Sequence, residues 1–382
     1  MKIANTMEIR IQNAFNIIND INCNPGTTIT EIAQNRSLSV PTISNIVSLL
    51  RNSNMVQTVG MGVSSGGRKP TQLSLNPRFQ HCIGVSIAKH TVYLVMTDFA
   101  GHILQKEKQY IDFEESDAYW QRIHQLIEAL KEGITSQCDI GVALPGFVDD
   151  DQNQIVNTFS LGVSTVSIDM IHHNLGDYVA VGDSCRLAAI AQMFGKNDVE
   201  DNFFILLSRR VSGLLILNGS ILNQKVSSLD IGSMIIDVSS NDAAHGILGS
   251  FAEECSASKI IDLLKKEYPI SQYEEFFDGI EKGDQDYIRI WDSYLKSLSV
   301  ALFNIYAFFK TDIVIGGEMA KYLASYTDQI KSYIAELTSQ DMIQNLDVQC
   351  SKYREYDDAY GAALEIRSLY LKAQLPEILK RA

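Results

Sequence analysis

Three small polar side chains, Thr42, Asn45 and Ser48, recur three residues apart just behind Ser39 and Pro41, and that spacing sets them along one face of a single helix. Their chemistry is short-range hydrogen bonding, the kind that reads base edges without filling a groove. Arg51 follows one turn on, and Arg68 and Lys69 stand in the run Ser64-Ser65-Gly66-Gly67-Arg68-Lys69-Pro70. Cations on a glycine turn can approach a phosphate backbone or enter a minor groove. Ser39, Pro41, Thr42, Asn45, Ser48, Arg51, Arg68 and Lys69 are therefore the expected DNA-contacting set. The six cysteines (Cys23, Cys82, Cys138, Cys185, Cys255, Cys350) are scattered, with no Cys-x-x-Cys pair. That pattern points to buried thiols rather than to a zinc ribbon or a disulfide framework.

The elements that must hold the polar face can be read in order. Ile3, Met7, Ile11, Ala14, Ile18 and Ile21 recur at helical spacing up to Asn24-Pro25-Gly26, which predicts a first helix that stops there. Thr28-Ile29-Thr30-Glu31 reads as a capping box that opens a short second helix. After a turn at Leu38, Ser39 caps a third helix, and Pro41 is tolerated in its first turn because that N–H has no helical acceptor. Ile43, Ile46, Val47 and Leu50 fall on its inner side. The strand-like MVQTVG and TQLSL then flank the glycine turn as a wing. The expectation is a winged helix-turn-helix over residues 1–80.

Charge divides in the same way. Residues 1–80 hold seven Lys/Arg against three Asp/Glu, in a chain whose net charge is −14, so a weakly basic head sits on an acidic body. With 46% apolar residues among 382, the chain can bury a large core. No apolar run is long enough to span a bilayer and the start lacks a signal-peptide pattern. A cytoplasmic protein without membrane contact is expected.

From His81 the pattern becomes α/β, with strands IGVSIA, TVYLVMTDF and HILQKEKQYI, a helix around 115–135, then DIGVALPG. Together with the wing Gly67-Arg68-Lys69-Pro70, several motifs then follow in order: Gly141-Val142-Ala143-Leu144-Pro145-Gly146, Val156-Asn157, Leu161-Gly162, Asp230-Ile231-Gly232, Ile313-Val314-Ile315-Gly316-Gly317 and Asp357-Asp358-Ala359-Tyr360-Gly361-Ala362-Ala363. On these residues the chain resembles, nearly end to end, the ROK family of bacterial sugar kinases and of repressors of the xylose and N-acetylglucosamine type. The resemblance implies an α/β body of two ribonuclease-H-like (actin-like ATPase) lobes in a sugar-kinase fold. The first lobe would cover 81–195, completed by a C-terminal helix at 357–382, and the second 196–356.

It also implies that the kinase chemistry is gone. Where the kinases carry Asp-x-Gly-Gly-Thr, this chain has Ser86-Ile87-Ala88-Lys89-His90, and their second phosphate loop, Gly-Thr-Gly-x-Gly-Gly-Gly, reads Ser208-Arg209-Arg210-Val211-Ser212-Gly213-Leu214. The family's catalytic Asp falls on Ser184 in the ungapped match to Asp183-Ser184-Cys185-Arg186. A shift by one makes Asp183 that residue but takes Ala188-Ala189 out of register. No catalytic residue is therefore expected. The family's zinc frame survives as Asp230-Ile231-Gly232-Ser233 and residues 243–250 without its ligands; His245 alone is no site, and His172-His173 reads as a surface pair. No metal and no cofactor are expected.

The family's sugar-contacting positions read Ser160, Ser184, Asp230, Ser233 and Ala252. Lys89, Arg209 and Arg210 replace neutral glycine loops. They are either solvated surface charges or a grip on an anionic, sugar-derived effector, with Asp230 or Asp183 taking hydroxyls. The expected effector set is Ser160, Asp183, Ser184, Arg209, Arg210, Asp230 and Ser233. The leading expectation is a DNA-binding regulator, of the repressor type, for carbohydrate-related genes, with a pseudokinase body. An active sugar kinase with a DNA-binding head, and a regulator controlled by a protein partner, remain as alternatives. One head reads a half-site, so a homodimer on a DNA operator is expected. The apolar stretch from Asp284 to Lys310 would serve as core, interface or both.

Overall fold

Alternating apolar strands and amphipathic helices build three regions. The computed structural model describes residues 6–61, 70–176, 178–222, 228–240, 246–267, 273–338 and 342–380. The head comprises α1 (Thr6–Cys23), α2 (Ile29–Arg36), α3 (Val40–Asn52), β1 (Val56–Met61) and β2 (Thr71–Leu75). The two strands pair antiparallel with a bulge between Thr58 and Gly60. Backbone bonds from Gly26 N to Leu73 O and from Leu73 N to Thr27 O add the α1–α2 connection to the same small sheet.

The first lobe runs β3 (His81–Ile87), β4 (Val92–Thr97), β5 (Ile103–Gln109), α4 (Asp117–Leu130), β6 (Cys138–Leu144), β7 (Phe147–Asp149), β8 (Gln154–Val156), β9 (Thr165–Ser167), α5 (Ile168–Leu175), β10 (Val179–Asp183) and α6 (Ser184–Met193). The second runs β11 (Asn202–Leu207), β12 (Val211–Leu217), β13 (Ser220–Ile221), α7 (Phe251–Cys255), α8 (Ala257–Glu267), α9 (Tyr273–Glu281), α10 (Gln285–Phe309), β14 (Asp312–Gly316), α11 (Ala320–Leu323), α12 (Thr327–Leu337) and β15 (Val348–Cys350). A final helix, α13 (Asp357–Lys380), closes the chain. The main sheets are ordered β10-β6-β3-β4-β5 and β13-β12-β11-β14-β15. In each, the central strand pairs antiparallel on one side and parallel on the other, so one half repeats the plan of the other. β7, β8 and β9 form a separate three-stranded sheet.

The central strands are buried along their whole length because both faces are covered by helices. Trp120, Ile123 and Ile127 of α4 pack on one face of the first sheet. Trp291, Leu295, Leu298 and Leu302 of α10 pack on one face of the second, meeting Phe203, Ile205 and Leu207, while Phe204 and Leu206 meet Ala188 and Ala189 of α6 on the other. The alternation of β11 thus serves two cores. Much of the apolar stretch at α10 is core, while Ile288 is exposed and Ile290 and Val300 are half-buried.

Between the two sheets lies a layer made of α6 and α13. Its closeness is set by glycine. A Cβ at Gly84 would fall 1.7 Å from the Ala359 carbonyl oxygen, one at Gly141 2.2 Å from that of Ala362, and one at Gly361 1.7 Å from that of Leu187. α13 does not belong to the first lobe alone: Leu371, Leu375, Ile378 and Leu379 share a core with Ile18, Ile21, Ile43, Ile46 and Leu50 of the head. Between these two parts, Arg367 is buried against the rings of Phe99 and Phe194, and its Nε donates to the Phe99 carbonyl at 2.5 Å. No helix among the described residues is long and apolar enough to cross a membrane.

Gly361→Ala and Gly84→Ala should each destabilise the protein by about 1–3 kcal/mol, because backbone must move to admit one methyl group. Urea unfolding followed by circular dichroism checks this, and unchanged midpoints would show that α13 can slide.

Candidate functional site

Two regions gather polar chemistry: the outer face of α3 and the cleft between the lobes. α2 begins with the expected capping box. Thr28 Oγ1 accepts from Glu31 N at 3.3 Å, and the Glu31 carboxylate accepts from Thr28 N at 2.8 Å, which holds the Glu31 carboxyl below its ordinary value. Arg36 grips Asp20 with both Nε and Nη2, at 2.7 and 2.5 Å, tying α2 to α1. Ser39 caps α3 by accepting from Thr42 N at 3.3 Å. Ile43, Ile46, Val47 and Leu50 point inward, while Ser39, Pro41, Thr42, Asn45, Ser48 and Arg51 are exposed. Arg10 of α1 joins this face through a 3.3 Å bond from Nη2 to Asn45 Oδ1; it sits inside a periodic apolar helix, and nothing local announces its position. Arg68, Lys69 and the tip of the wing lie outside the described residues.

The cleft holds a cavity of about 790 Å³, lined by Lys89, Ser160, Arg209, Arg210, Asp230 and Ser233 among others. Six of the positions singled out by sequence, spread over more than 140 residues of chain, thus meet around one space. Ser233 Oγ donates to Asp230 at 2.8 Å, and Arg209 Nη1 donates to Ser258 Oγ at 3.3 Å. Arg210 reaches across to the first lobe: its Nη1 donates to the Asn157 carbonyl at 2.9 Å and its guanidinium lies 4.3 Å from the centre of the Phe147 ring. Asn157 holds that carbonyl from a left-handed backbone, φ +58°. Glu253, buried on α7, lines the same cavity; the family-matched position is its neighbour Ala252, and no motif marks the glutamate itself.

Deeper in, Ser86, Asp183, Ser184 and Asp358 enclose a chamber of about 40 Å³, room for a water or two. Ser86 Oγ donates to Asp358 at 2.6 Å and Ser184 also bonds that carboxyl. Burial pushes the Asp358 carboxyl up to about 6 against these bonds. Asp183 has a different role from the expected hydroxyl acceptor. Its two oxygens accept from Cys185 N at 2.8 Å and Ser228 N at 2.9 Å, so it caps α6 and ties the lobes. Asp357 starts α13, fully buried, and accepts from Gly317 N at 3.2 Å and from Ser351 Oγ. Its burial pushes the carboxyl up to about 8.

Other expectations fare unevenly. Cys82, Cys185 and Cys255 are buried and the other three half-buried. His173 is exposed, but His172 is half-buried with its ring bonded to the Val179 carbonyl at 3.0 Å, so the two histidines are not a surface pair. His245 lies outside the described residues. Among the described ones, no group of three or more His, Cys, Asp or Glu is arranged to hold a metal ion.

The ROK family model matches residues 82–368. The xylose repressor of Bacillus subtilis is 22% identical over 325 residues, 82% of this chain and 84% of that protein. The crystal structure of a ROK family transcriptional regulator, a homologue of the E. coli MLC protein, superposes with a TM-score of 0.76 at 19% identity, over 98% of this chain and 100% of its own. A ROK family glucokinase from Streptomyces griseus, in complex with glucose and AMPPNP, gives 0.66 at 16% identity, over 75% of this chain and 99% of its own.

The raised carboxyls make stability pH-dependent. Folded Asp357 keeps its proton up to about pH 8, whereas the unfolded chain releases it near 3.8, so the folded state holds the extra proton and stability falls as pH rises through that window. Each unit of upward shift costs about 1.4 kcal/mol once pH exceeds it. Urea midpoints measured from pH 5 to pH 8.5 should fall more steeply for the parent than for Asp357→Asn; parallel profiles would sink the assignment.

Proposed function

The chain belongs to the ROK family, and from that membership we propose that it is a DNA-binding transcriptional regulator of carbohydrate-related genes, whose kinase-like lobes sense a ligand rather than phosphorylate one. One observation carries the reading. The regulator's likeness extends over 98% of the chain and the glucokinase's over 75%. The difference is about the size of the head, whose α3 turns six polar or charged side chains to solvent. α1, α2, α3 and the β1–β2 hairpin have the element order of a winged helix-turn-helix, with α3 in the position of the recognition helix.

Loss of catalysis is supported by the residues themselves. Ser184 stands where the family's base would be, and a serine hydroxyl is too weak a base to take a sugar proton near neutral pH. Ala88, Lys89, Arg209 and Arg210 put side chains where glycine loops would receive phosphates. The ligand would occupy the larger cavity. A homodimer would present two heads to the two halves of an operator, and duplex DNA as the partner places the protein in the cytoplasm.

For DNA binding, Thr42→Ala and Asn45→Ala should change which base pairs are preferred, at about 1–3 kcal/mol for each direct base contact. Arg10→Ala, Arg68→Ala and Lys69→Ala should weaken binding across sequences and reduce the salt slope by about one for each phosphate that is no longer neutralised. Selection of operators from random duplexes, followed by anisotropy titrations at several salt concentrations, reads both effects. Unchanged operator choice and salt slope in all five variants would refute the proposed surface. A coupled nucleotide-turnover assay with a panel of sugars tests the absence of kinase activity, and sugar-dependent ATP consumption would overturn it.

A further inference from the structure

Three cations of the cleft make no direct ion pair among the described residues. Lys89, Arg209 and Arg210 line the larger cavity and the inner chamber alike, yet none forms an ion pair within 4 Å among the described residues, where such pairs are made by Arg186, Lys259 and Lys321. Arg209 is partly balanced by the buried Glu318 facing it.

Arg210 is the more telling. Its Nη1 is engaged by the Asn157 carbonyl and one face by the Phe147 ring, so two contacts, the bond and the ring, fix the plane of the guanidinium. The edge left over is Nε and Nη2, and both are buried without a hydrogen-bond partner among the described residues. That is the edge with which Arg36 of the same chain grips the two oxygens of Asp20. A buried, unpaired charged donor is costly, and two parallel N–H groups match the two oxygens of a carboxylate or a phosphate. The Ser160 hydroxyl, which lines the same two spaces, is also buried and has no hydrogen-bond partner among the described residues. The Lys89 ammonium lies by the turn that follows Ser160, 4.0 Å from where a Cβ of Gly162 would be. On the far wall Asp230, Ser233 and Glu253 supply acceptors and hydroxyls suited to a polyol.

We propose that Arg210, Ser160 and Lys89 form an anion subsite, and that the ligand of the cleft is a small polyhydroxylated molecule bearing a carboxylate or a phosphate. The proposal rests on the reading of the cleft as a ligand-sensing site. The anion takes the Nε–Nη2 edge of Arg210 and the Ser160 hydroxyl, with Lys89 adding charge. The hydroxyls reach Asp230 and Ser233. Arg210 also ties the lobes through Asn157, so an anion that satisfies its free edge favours the arrangement in which that tie is made.

Isothermal titration of the full chain tests this with gluconate, glucuronate, glucose 6-phosphate, inorganic phosphate, and neutral glucose and xylose. Binding by gluconate or glucuronate, by glucose 6-phosphate, or by both identifies the anion, and the affinity should fall as salt rises. Arg210→Lys keeps the charge and loses the fork, and should weaken that binding roughly tenfold or more. Ser160→Ala, a smaller change, should weaken it severalfold, so a failure of the lysine variant to fold would leave the test intact. Binding of the neutral sugars alone, of none of the probes, or equally by parent and variants would overturn the subsite. Operator binding by the parent is measured in parallel: its absence would refute the regulator reading, whereas intact operator binding with no anion-selective ligand would refute only the subsite.

Discussion

One helix is held so tightly that the first lobe and α6 must move with it. α13 lies against β3, β6 and α6 at separations that only Gly84, Gly141 and Gly361 permit, and carbonyl oxygens rather than flexible side chains form the far side of each contact. Backbone against backbone cannot yield by rotamer change. Its first residues, Asp357 and Asp358, sit in the cleft, one bonded to Gly317 of the second lobe and the other to Ser86 and Ser184 of the first. Its last turns supply Leu371, Leu375 and Leu379 to the core of the head. A rigid rod therefore runs from the place where a ligand would act to the place where DNA would be read. Arg367, stacked between Phe99 and Phe194, fixes it at the passage between the two.

The head was legible because its signals are local. A capping box, an N-cap three residues before Thr42, and a four-residue apolar spacing each need only their own neighbours, and all recur in the structure. The α/β alternation of the body was equally plain. What could not be read was the double allegiance of α13. It is apolar on more than one side because it is wrapped first by two sheets and then by the head, so no single face stands out. The site shows the same division. Ser160, Arg209, Arg210, Asp230 and Ser233 stand in recognisable motifs and do meet in one cavity. Arg10 and Glu253 owe their places to long-range packing, and the cap that Asp183 forms on α6 is completed by backbone N–H groups of Cys185 and of distant Ser228.

Hydrogen bonds organise the inner chamber. The resemblance implies acidic groups at the positions of Ser86 and Ser184; here both hydroxyls converge on the single carboxyl of Asp358, itself pushed up to about 6 by burial. The members of this cluster satisfy one another. The positive groups have moved outward, to the rim where Lys89 and Arg210 meet the larger cavity. Charge that would stabilise a transferring phosphoryl group needs to surround a reacting atom. Charge placed on the seam between lobes instead acts on whether the lobes meet.

That seam is weak enough to be regulated. The polar ties across it, among the described residues, are few: Arg210 to Asn157, Ser228 to Asp183, Gly317 and Ser351 to Asp357, and Tyr93 to Glu318. At a net worth of about 0.5–1.5 kcal/mol apiece, they sum to a few kcal/mol, which is the scale of an ordinary ligand's preference for one conformation over another. The lasting contact is apolar, where Ala188 and Ala189 of α6 pack on Phe204 and Leu206, and it lies on the same layer as α13. An opening that pivoted on this contact would break the weak polar ties and keep the apolar core, and α13, locked to α6 and the first sheet by its glycines, would carry the head with them. By reciprocity, a ligand that loosens DNA through this rod must itself be held less well when DNA is bound.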